Sequence, residues 1–154
     1  MAKKTIKIFL DSNVILSGLL SDKGAPRVIL DILCLGLPLL KGATGEYNIM
    51  EIERNIRKRL PTILDIYQSC LPKLRIEIVP LPPPEALDAY SAMIAAKDAP
   101  VLASAVISGA DYLVTGDKKD FDKLKDNAAI PVKVVSPSEL VQLIGHIFSS
   151  ELAE

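Results

Sequence analysis

Short apolar segments alternate with longer segments of helical periodicity along the whole chain, and this alternation restricts the fold more than any other feature. Between the apolar segments, hydrophobic residues recur every three to four positions, as at Ile49, Ile52 and Ile56. Strands separated by helices pair in parallel through right-handed crossovers. We therefore predict a three-layer α/β/α sandwich with strands at residues 5–11, 37–42, 75–79, 112–115 and 132–135.

The composition is typical of one globular domain, which we expect to span residues 1–154. Of the 154 residues, 49% are hydrophobic and 24% are charged, which are ordinary values for such a domain. The net charge of −1 argues against a protein that coats nucleic acid through an overall basic surface. No leader pattern and no apolar run of about 20 residues is present, so we expect a cytoplasmic protein without a membrane partner.

The sequence offers little for chemistry based on histidine or thiols. His146 is the only histidine, and it lies in a C-terminal helical pattern. Cys34 and Cys70 are isolated and lack the spacing of a zinc site. We interpret both cysteines as small buried residues, and zinc or triad chemistry is disfavoured.

Acids follow two of the predicted strands. Asp11 ends the first strand, and Asp117 follows the fourth after a turn in which Gly116 is expected to let the backbone bend sharply. Ligands of parallel sheets collect at the carboxyl ends of the strands, where the strand order reverses. If these strands are neighbours, the two carboxylates face each other and need a proton or a cation between them. An acid-only site favours Mg²⁺ or Mn²⁺.

Two further positions have alternative interpretations. Asp98 precedes a helix that we predict over residues 98–110, where it could cap the helix, approach a metal ion, or do both. Ser12 or Asn13 could likewise cap the helix predicted over residues 12–20, or hold a metal-bound water molecule.

Four segments together resemble the PIN-domain nucleases, and most of all the VapC-like ribonucleases that are toxin components of toxin–antitoxin pairs. The segments read IFLDSNVILSGLL, GEYNIMEIE, KDAPVLASAVISGADYLVTGDKKDF and VVSPSEL, and they extend over residues 6–141. The resemblance implies a five-stranded parallel sheet of order 3-2-1-4-5. It also implies hydrolysis of RNA by a water molecule that is activated on a divalent metal ion.

The resemblance assigns the catalytic and metal-binding roles to four acids. They are Asp11, Glu51, Asp98 and Asp117. Glu53 remains an alternative to Glu51, because a helical wheel places Glu53 nearer to the apolar stripe. The chain departs from the family after its fourth aspartate, where an acid often follows two positions later. Here the nearest acids stand three and five positions later, so a fifth acidic contribution is in doubt.

Substrate contacts must come from local groups, because the net charge is not positive. Asn13 and Thr115 could orient water or a phosphate oxygen, and Arg27, Lys118 and Lys119 could contact phosphates. The stretch ERNIRKRLP adds four more cations, at Arg54, Arg57, Lys58 and Arg59. These four could bind phosphates, or they could be a solvated helix end that complements the helix dipole.

Two other functions stay open at the sequence level. One is a catalytically silent nuclease-like module that binds RNA or a protein, and the other is an aspartyl-phosphate phosphotransferase with Asp11 as nucleophile. The resemblance further implies an RNA substrate and an antitoxin partner. It also suggests a homodimer, for which an incompletely covered apolar helix over residues 27–36 would provide a surface.

Overall fold

The computed structural model describes residues 5–125 and 127–153, with side chains except at positions 118 and 151–153. The strands are β1 (Ile6–Leu10), β2 (Leu40–Gly45), β3 (Glu77–Val79), β4 (Tyr112–Val114) and β5 (Lys133–Val135). The helices are α1 (Ser12–Leu20), α2 (Ala25–Cys34), α3 (Glu46–Arg59), α4 (Leu64–Cys70), α5 (Pro84–Tyr90), α6 (Ala99–Ile107), α7 (Lys118–Phe121) and α8 (Pro137–Ala153). Three short 3₁₀ turns, at Pro61–Ile63, Leu71–Leu74 and Asp122–Leu124, complete the regular structure of this part of the chain.

The strands of the described residues form one sheet of order β3-β2-β1-β4-β5, in which all neighbours are parallel. This confirms the predicted fold class and strand order. The central strand β1 pairs with both β2 and β4, and Leu10 at its end lies opposite Val114 at the end of β4. Because the strand order reverses beside β1, the residues after β1 and β4 share one edge of the sheet.

Each face of the sheet is covered by its own apolar core. Alternate residues of a strand point to opposite faces, so Ile8 and Leu10 join a cluster that includes residues of α1, α2, α3 and α8. Phe9 joins a second cluster on the other face, with Leu102 of α6 and Phe121 of α7. Burial on both faces explains why β1 is a continuous apolar run rather than an alternating one.

The second strand lies three residues further along the chain than predicted. We predicted residues 37–42, whereas β2 runs from Leu40 to Gly45. Two of its last three residues, Ala43 and Gly45, are weak strand formers, whereas Thr44 is a good one. All three are buried between neighbouring strands. Gly42 is required by packing, because a Cβ there would lie 2.6 Å from Cγ2 of Ile76.

Two predicted helices are shorter than expected. The segment EALDAYSAMIAA predicts a helix over residues 85–96, but α5 ends at Tyr90, because Met93 and Ile94 turn inward to pack in the second core cluster. The sequence also predicts a helix over residues 62–71, but this segment has 3₁₀ turns at its ends and only residues 64–70 are α-helical. Tertiary packing here overrides local propensity.

The segment SPSELVQLIGHIF predicts a last helix that begins with a capping serine or a Pro–Ser pair, and the structure has the cap at Ser136. The Ser136 hydroxyl accepts a hydrogen bond from the Glu139 N–H (3.1 Å), and the Glu139 carboxylate accepts one from the Ser136 N–H (3.0 Å). This is a capping box. None of the helices among the described residues combines the length and the hydropathy needed to cross a bilayer.

Candidate active site

The parallel pairing of β1 with β4 brings the residues after the two strands together. The Asp11 N–H donates to the carbonyl of Val114 (3.0 Å), so the ladder continues one step past β1. The Thr115 hydroxyl then donates to Oδ2 of Asp11 (2.8 Å) and accepts from the Asp117 N–H (3.0 Å). One threonine therefore links the two acids that the sequence places 106 positions apart.

Asp11 is buried, with only 6% of its surface exposed. Its Oδ1 accepts hydrogen bonds from the Ser12 N–H (2.7 Å) and from Nδ2 of Asn48 (3.3 Å). Burial raises the pKa of Asp11 to about 6, although the bonds from Thr115 and Ser12 act in the opposite direction. Asp11, rather than Ser12 or Asn13 as predicted, is the N-cap of α1.

Asp98 is the acid that the structure leaves least satisfied. It is 8% exposed, and its Oδ2 is buried without a hydrogen-bond partner among the described residues. Asp98 occupies the N-cap position of α6, but its carboxylate accepts no hydrogen bond from that helix. Of the two alternatives considered from the sequence, side-chain capping is therefore absent. Burial, and then the neighbouring Asp120 carboxylate, raises the pKa of Asp98 to about 6.

Three carboxylates converge beside this orphaned oxygen. One oxygen from each of Asp98, Asp117 and Asp120 lies within 4.8 Å of the other two. The Asp117 carboxylate also accepts the Asp120 N–H (3.1 Å). On the outer side, Nζ of Lys97 lies 3.1 Å from Asp120, and this contact lowers the pKa of Asp120. We call Asp98, Asp117 and Asp120 the acid cluster.

The acid cluster does not contain Asp11 or Glu51, which lie next to it. Glu51 is partly buried, and its charge contributes to the raised pKa values of both Asp11 and Tyr47. Glu53 instead faces α4. Burial raises the pKa of Tyr67 in that helix to about 12, and the charge of Glu53 contributes to this shift. Of the two glutamates considered from the sequence, Glu51 is the one beside the acids.

Asn13 and Thr115, which we predicted to contact water or phosphate, both hold the turn after β4. The Oδ1 of Asn13 accepts the Gly116 N–H (3.0 Å). Gly116 is not among the described glycines with positive φ, so the expected reason for a glycine there is wrong. The nearest obstacle to a Cβ at this position is Oδ1 of Asn13, at 3.4 Å.

The predicted phosphate-binding cations occupy different places. Arg27 bonds to Asp31 (3.1 Å) and lines a separate groove between α2 and α4 that also contains Cys34 and Cys70. Lys119 is exposed on α7, two residues after Asp117. Lys118 starts α7, but its side chain lies outside the described part of the structure.

The sequence analysis missed or discounted three residues around the acids. Asn48 is fully buried, where it also bonds to the Ser12 hydroxyl (2.9 Å) and accepts the Gly45 N–H (3.2 Å). Asp120 was discounted because it stands three rather than two positions after the fourth aspartate. A helical turn brings residues i and i+3 together, and this spacing could have identified it. For Lys97, the only indication in the sequence of a place near the acids is that it directly precedes Asp98.

A cavity adjoins the acid cluster at the ends of β4 and β5. Its volume is about 350 Å³, and its lining includes Asp117, Thr115, Phe121, Asp122 and Ser136. Cavities of this size hold small organic ligands. The acids therefore stand beside a space large enough for part of a substrate.

The donor atoms and their surroundings fit a divalent cation. The donors are carboxylate oxygens only, and Mg²⁺ and Mn²⁺ prefer such ligands. A buried carboxylate oxygen without a partner is costly, and three acids within 4.8 Å of one another repel. A cation between Asp98, Asp117 and Asp120 would relieve both effects.

The sheet order and the acids at its carboxyl edge define a class of acid-lined α/β/α proteins. The chain belongs to the PIN domain family, because the model of that family matches residues 7–119. This confirms the resemblance stated from the sequence. Among curated proteins, no sequence is significantly similar to the chain.

Solved structures with the same fold include chains of three bacterial complexes. The chain is similar to VapBC2 from Rickettsia felis bound to a promoter DNA fragment, with a TM-score of 0.59, 17% identity, and coverage of 85% of this chain and 98% of that one. It is also similar to DNA-bound VapBC from Salmonella typhimurium (TM-score 0.63, 14% identity, coverage 86% and 99%). The chain is also similar to VapBC-1 from nontypeable Haemophilus influenzae, with a TM-score of 0.58 and 15% identity. This match covers 86% of this chain and 99% of that one.

Proposed function

We propose that the protein is a ribonuclease that requires Mg²⁺ or Mn²⁺ and hydrolyses phosphodiester bonds within RNA. The observation that carries this proposal is the acid cluster, in which three carboxylate oxygens lie within 4.8 Å of one another beside the buried, unpartnered Oδ2 of Asp98. Membership of the PIN domain family supports the same conclusion.

The residues of the chain would share the work around the cation. Asp98, Asp117 and Asp120 would hold it directly, and Asp11 and Glu51 would complete the negative surface from the side of β1 and α3. A divalent ion of this kind lowers the pKa of water and neutralises charge on a phosphodiester. The hydrogen bonds from Thr115 and Asn48 to Asp11 fix that carboxylate before substrate arrives. We expect products with a 5′-phosphate and a 3′-hydroxyl.

Single substitutions of the acids test the proposal. Asp11→Asn, Asp98→Asn and Asp117→Asn should each reduce cleavage of a labelled RNA panel by more than about 100-fold. Loss of a residue that only supports a metal ligand already lowers metal affinity or activity by about 10- to 100-fold. Asp88→Asn, a change at an exposed position of α5, is the matched control and should cleave like the wild type.

Chelation and trapping distinguish the proposal from the alternatives. Cleavage should stop in EDTA and return with added Mg²⁺ or Mn²⁺. Cleavage that continues unchanged in EDTA, or the absence of cleavage of any RNA, would refute the metal-dependent nuclease. Isolation of a phosphoenzyme at Asp11 would instead favour the phosphotransferase.

We further propose that the protein is the toxin of a toxin–antitoxin pair and acts in the cytoplasm. The support is the likeness of its fold to chains of VapBC complexes, together with its resemblance to toxin components. Expression of the wild type should arrest bacterial growth, whereas Asp117→Asn should not. Equal growth of both strains at equal protein levels would contradict a toxin role.

A further inference from the structure

One face of α3 leads away from the acids and carries cations. Tyr47, Glu51, Arg54 and Lys58 stand at spacings of four, three and four residues, so they lie on one side of the helix. We call these four residues the α3 stripe. At a rise of 1.5 Å per residue, Lys58 lies about 10 Å beyond Glu51 along the helix axis. The stripe therefore runs from the acids outward.

The near end of the stripe is fixed against the loop that carries Asp98. The Tyr47 hydroxyl donates to the carbonyl of Lys97 (3.2 Å). Burial raises the pKa of Tyr47, the charges of Glu51, Asp98 and Asp11 raise it further, and the charge of Arg54 lowers it. Arg54 is therefore within electrostatic range of the rim of the acid site.

The far end of the stripe borders an open groove of about 540 Å³. Arg54 and Lys58 line it together with Met50, Glu53 and Arg57. Arg54 and Lys58 are exposed, and neither takes part in an ion pair between described residues. Arg57, Lys58 and Arg59 stand in the last turn of α3, where cations also complement the helix dipole. Arg54 precedes that turn, and the dipole does not explain it.

We infer that the α3 stripe binds the phosphates of a single-stranded RNA and guides the strand to the acid cluster. This inference rests on the proposed function and adds the path of the substrate. Unpaired cations are what a phosphate chain requires, and in a protein of net charge −1 they must be local. The strand would pass Lys58 and Arg54 before its scissile phosphate reaches Glu51 and the acids.

Binding of a fluorescent single-stranded RNA dodecamer, measured by anisotropy, tests the inference. All proteins carry Asp11→Asn, so that cleavage does not interfere. Arg54→Gln with Lys58→Gln should weaken binding roughly tenfold, and it should reduce the slope of log K against log salt by about 1.4, since each single-strand phosphate contact contributes about 0.7.

Two controls isolate the path. Arg59→Gln with Lys133→Gln removes the same charge from the last turn of α3 and from the opposite edge of the sheet, and it should leave affinity and slope unchanged. Arg54→Lys with Lys58→Arg keeps the charges and should retain the affinity. Thermal unfolding of each variant confirms that it is folded.

The outcomes separate this inference from the proposed function. Equal affinities of the Arg54/Lys58 and Arg59/Lys133 variants would overturn the α3 path, even if the wild type cleaves RNA in Mg²⁺. A loss of affinity and slope confined to the Arg54/Lys58 variant would support the path, even if the wild type cleaves no RNA.

Discussion

The Asp11 carboxylate accepts hydrogen bonds from three parts of the chain. Ser12 is its neighbour, Asn48 comes from α3, and Thr115 follows β4. These donors orient the carboxylate in a site from which water is largely excluded. The same burial raises its pKa to about 6, so the oriented carboxyl group ionises at a higher pH than an ordinary aspartate.

Asn48 is expected to matter for metal binding although it bears no charge. Asn48→Ala removes a donor to Asp11 and an acceptor for the Gly45 N–H. We expect affinity for Mn²⁺ to fall by about 10- to 100-fold, as for other residues that support metal ligands. Calorimetric titration measures it. Asn127→Ala, at an exposed position near the opposite edge of the sheet, is the control, and equal affinities would argue against this role.

The raised pKa of Asp11 predicts a pH-dependent stability of the metal-free protein. Its folded-state pKa is about 6 against an ordinary 3.8, so the folded protein binds the proton more tightly. Protonated Asp11 therefore stabilises the folded state. This contribution is complete below pH ~4 and is lost as the pH rises through about 6, and its full size is at most about 3 kcal/mol. Relative to the wild type, Asp11→Asn should therefore become more stable as the pH rises.

Urea unfolding in EDTA between about pH 4 and pH 7.5 measures this difference. In separate samples with saturating Mg²⁺ in place of EDTA, this difference in stability should be smaller, because the cation stabilises the ionised carboxylates of the wild type. A wild-type-to-variant difference that stays constant over this range would show that burial does not control the ionisation of Asp11.

At the level of elements, a glycine of β2 and a glycine of α8 differ in the space that is available for an added side chain. Gly42 lies in a strand against Ile76 and Leu33, where an added Cβ would approach atoms at 2.6 and 3.0 Å. Gly145 lies within α8, where a Cβ would meet nothing within 4 Å. The same substitution should therefore have opposite effects at the two positions.

We expect Gly42→Ala to reduce the free energy of unfolding by about 1–3 kcal/mol, through overpacking of the sheet against α2. Gly145→Ala should raise it by up to about 1 kcal/mol, because alanine is the better residue inside an exposed helix. Chemical denaturation of both variants measures the two values. Equal signs would contradict this account of the packing.

Elements were predictable where periodicity and packing agree. The Ile49, Ile52 and Ile56 pattern predicts a helix over residues 44–60, and α3 has these bounds to within two residues because its apolar stripe faces the core. The predicted position of β2 was wrong, since Ala43 and Gly45 are weak strand formers and pairing with the neighbouring strands holds this end of β2 in place. The early end of α5 likewise depends on a tertiary contact of Ile94, which no local pattern records.

At the level of the whole molecule, the acids become one site only through the strand order. Asp11 and Asp117 both follow apolar strands, and they could be placed near each other from the sequence only with the strand order that the family resemblance implies. The distances within the acid cluster could not be predicted, since they depend on the turn after Thr115 and on the short helix α7 that carries Asp120.

A cation that binds this edge should stabilise the entire fold by mass action. At a concentration of Mg²⁺ or Mn²⁺ about 100 times its dissociation constant, the gain is about 2.7 kcal/mol. The melting temperature of the wild type should rise accordingly, as differential scanning fluorimetry can show. Asp98→Asn and Asp117→Asn should show little of this rise, whereas an equal rise in all three proteins would place the cation elsewhere.

The separation of the acids along the chain has a consequence for biosynthesis. Asp117 and Asp120 are translated more than a hundred codons after Asp11, and β4 must pair with β1 before these acids meet. A ribosome that stalls or stops earlier releases a fragment in which Asp11 has neither neighbour. The full set of acids is therefore present only in chains whose translation has passed residue 120.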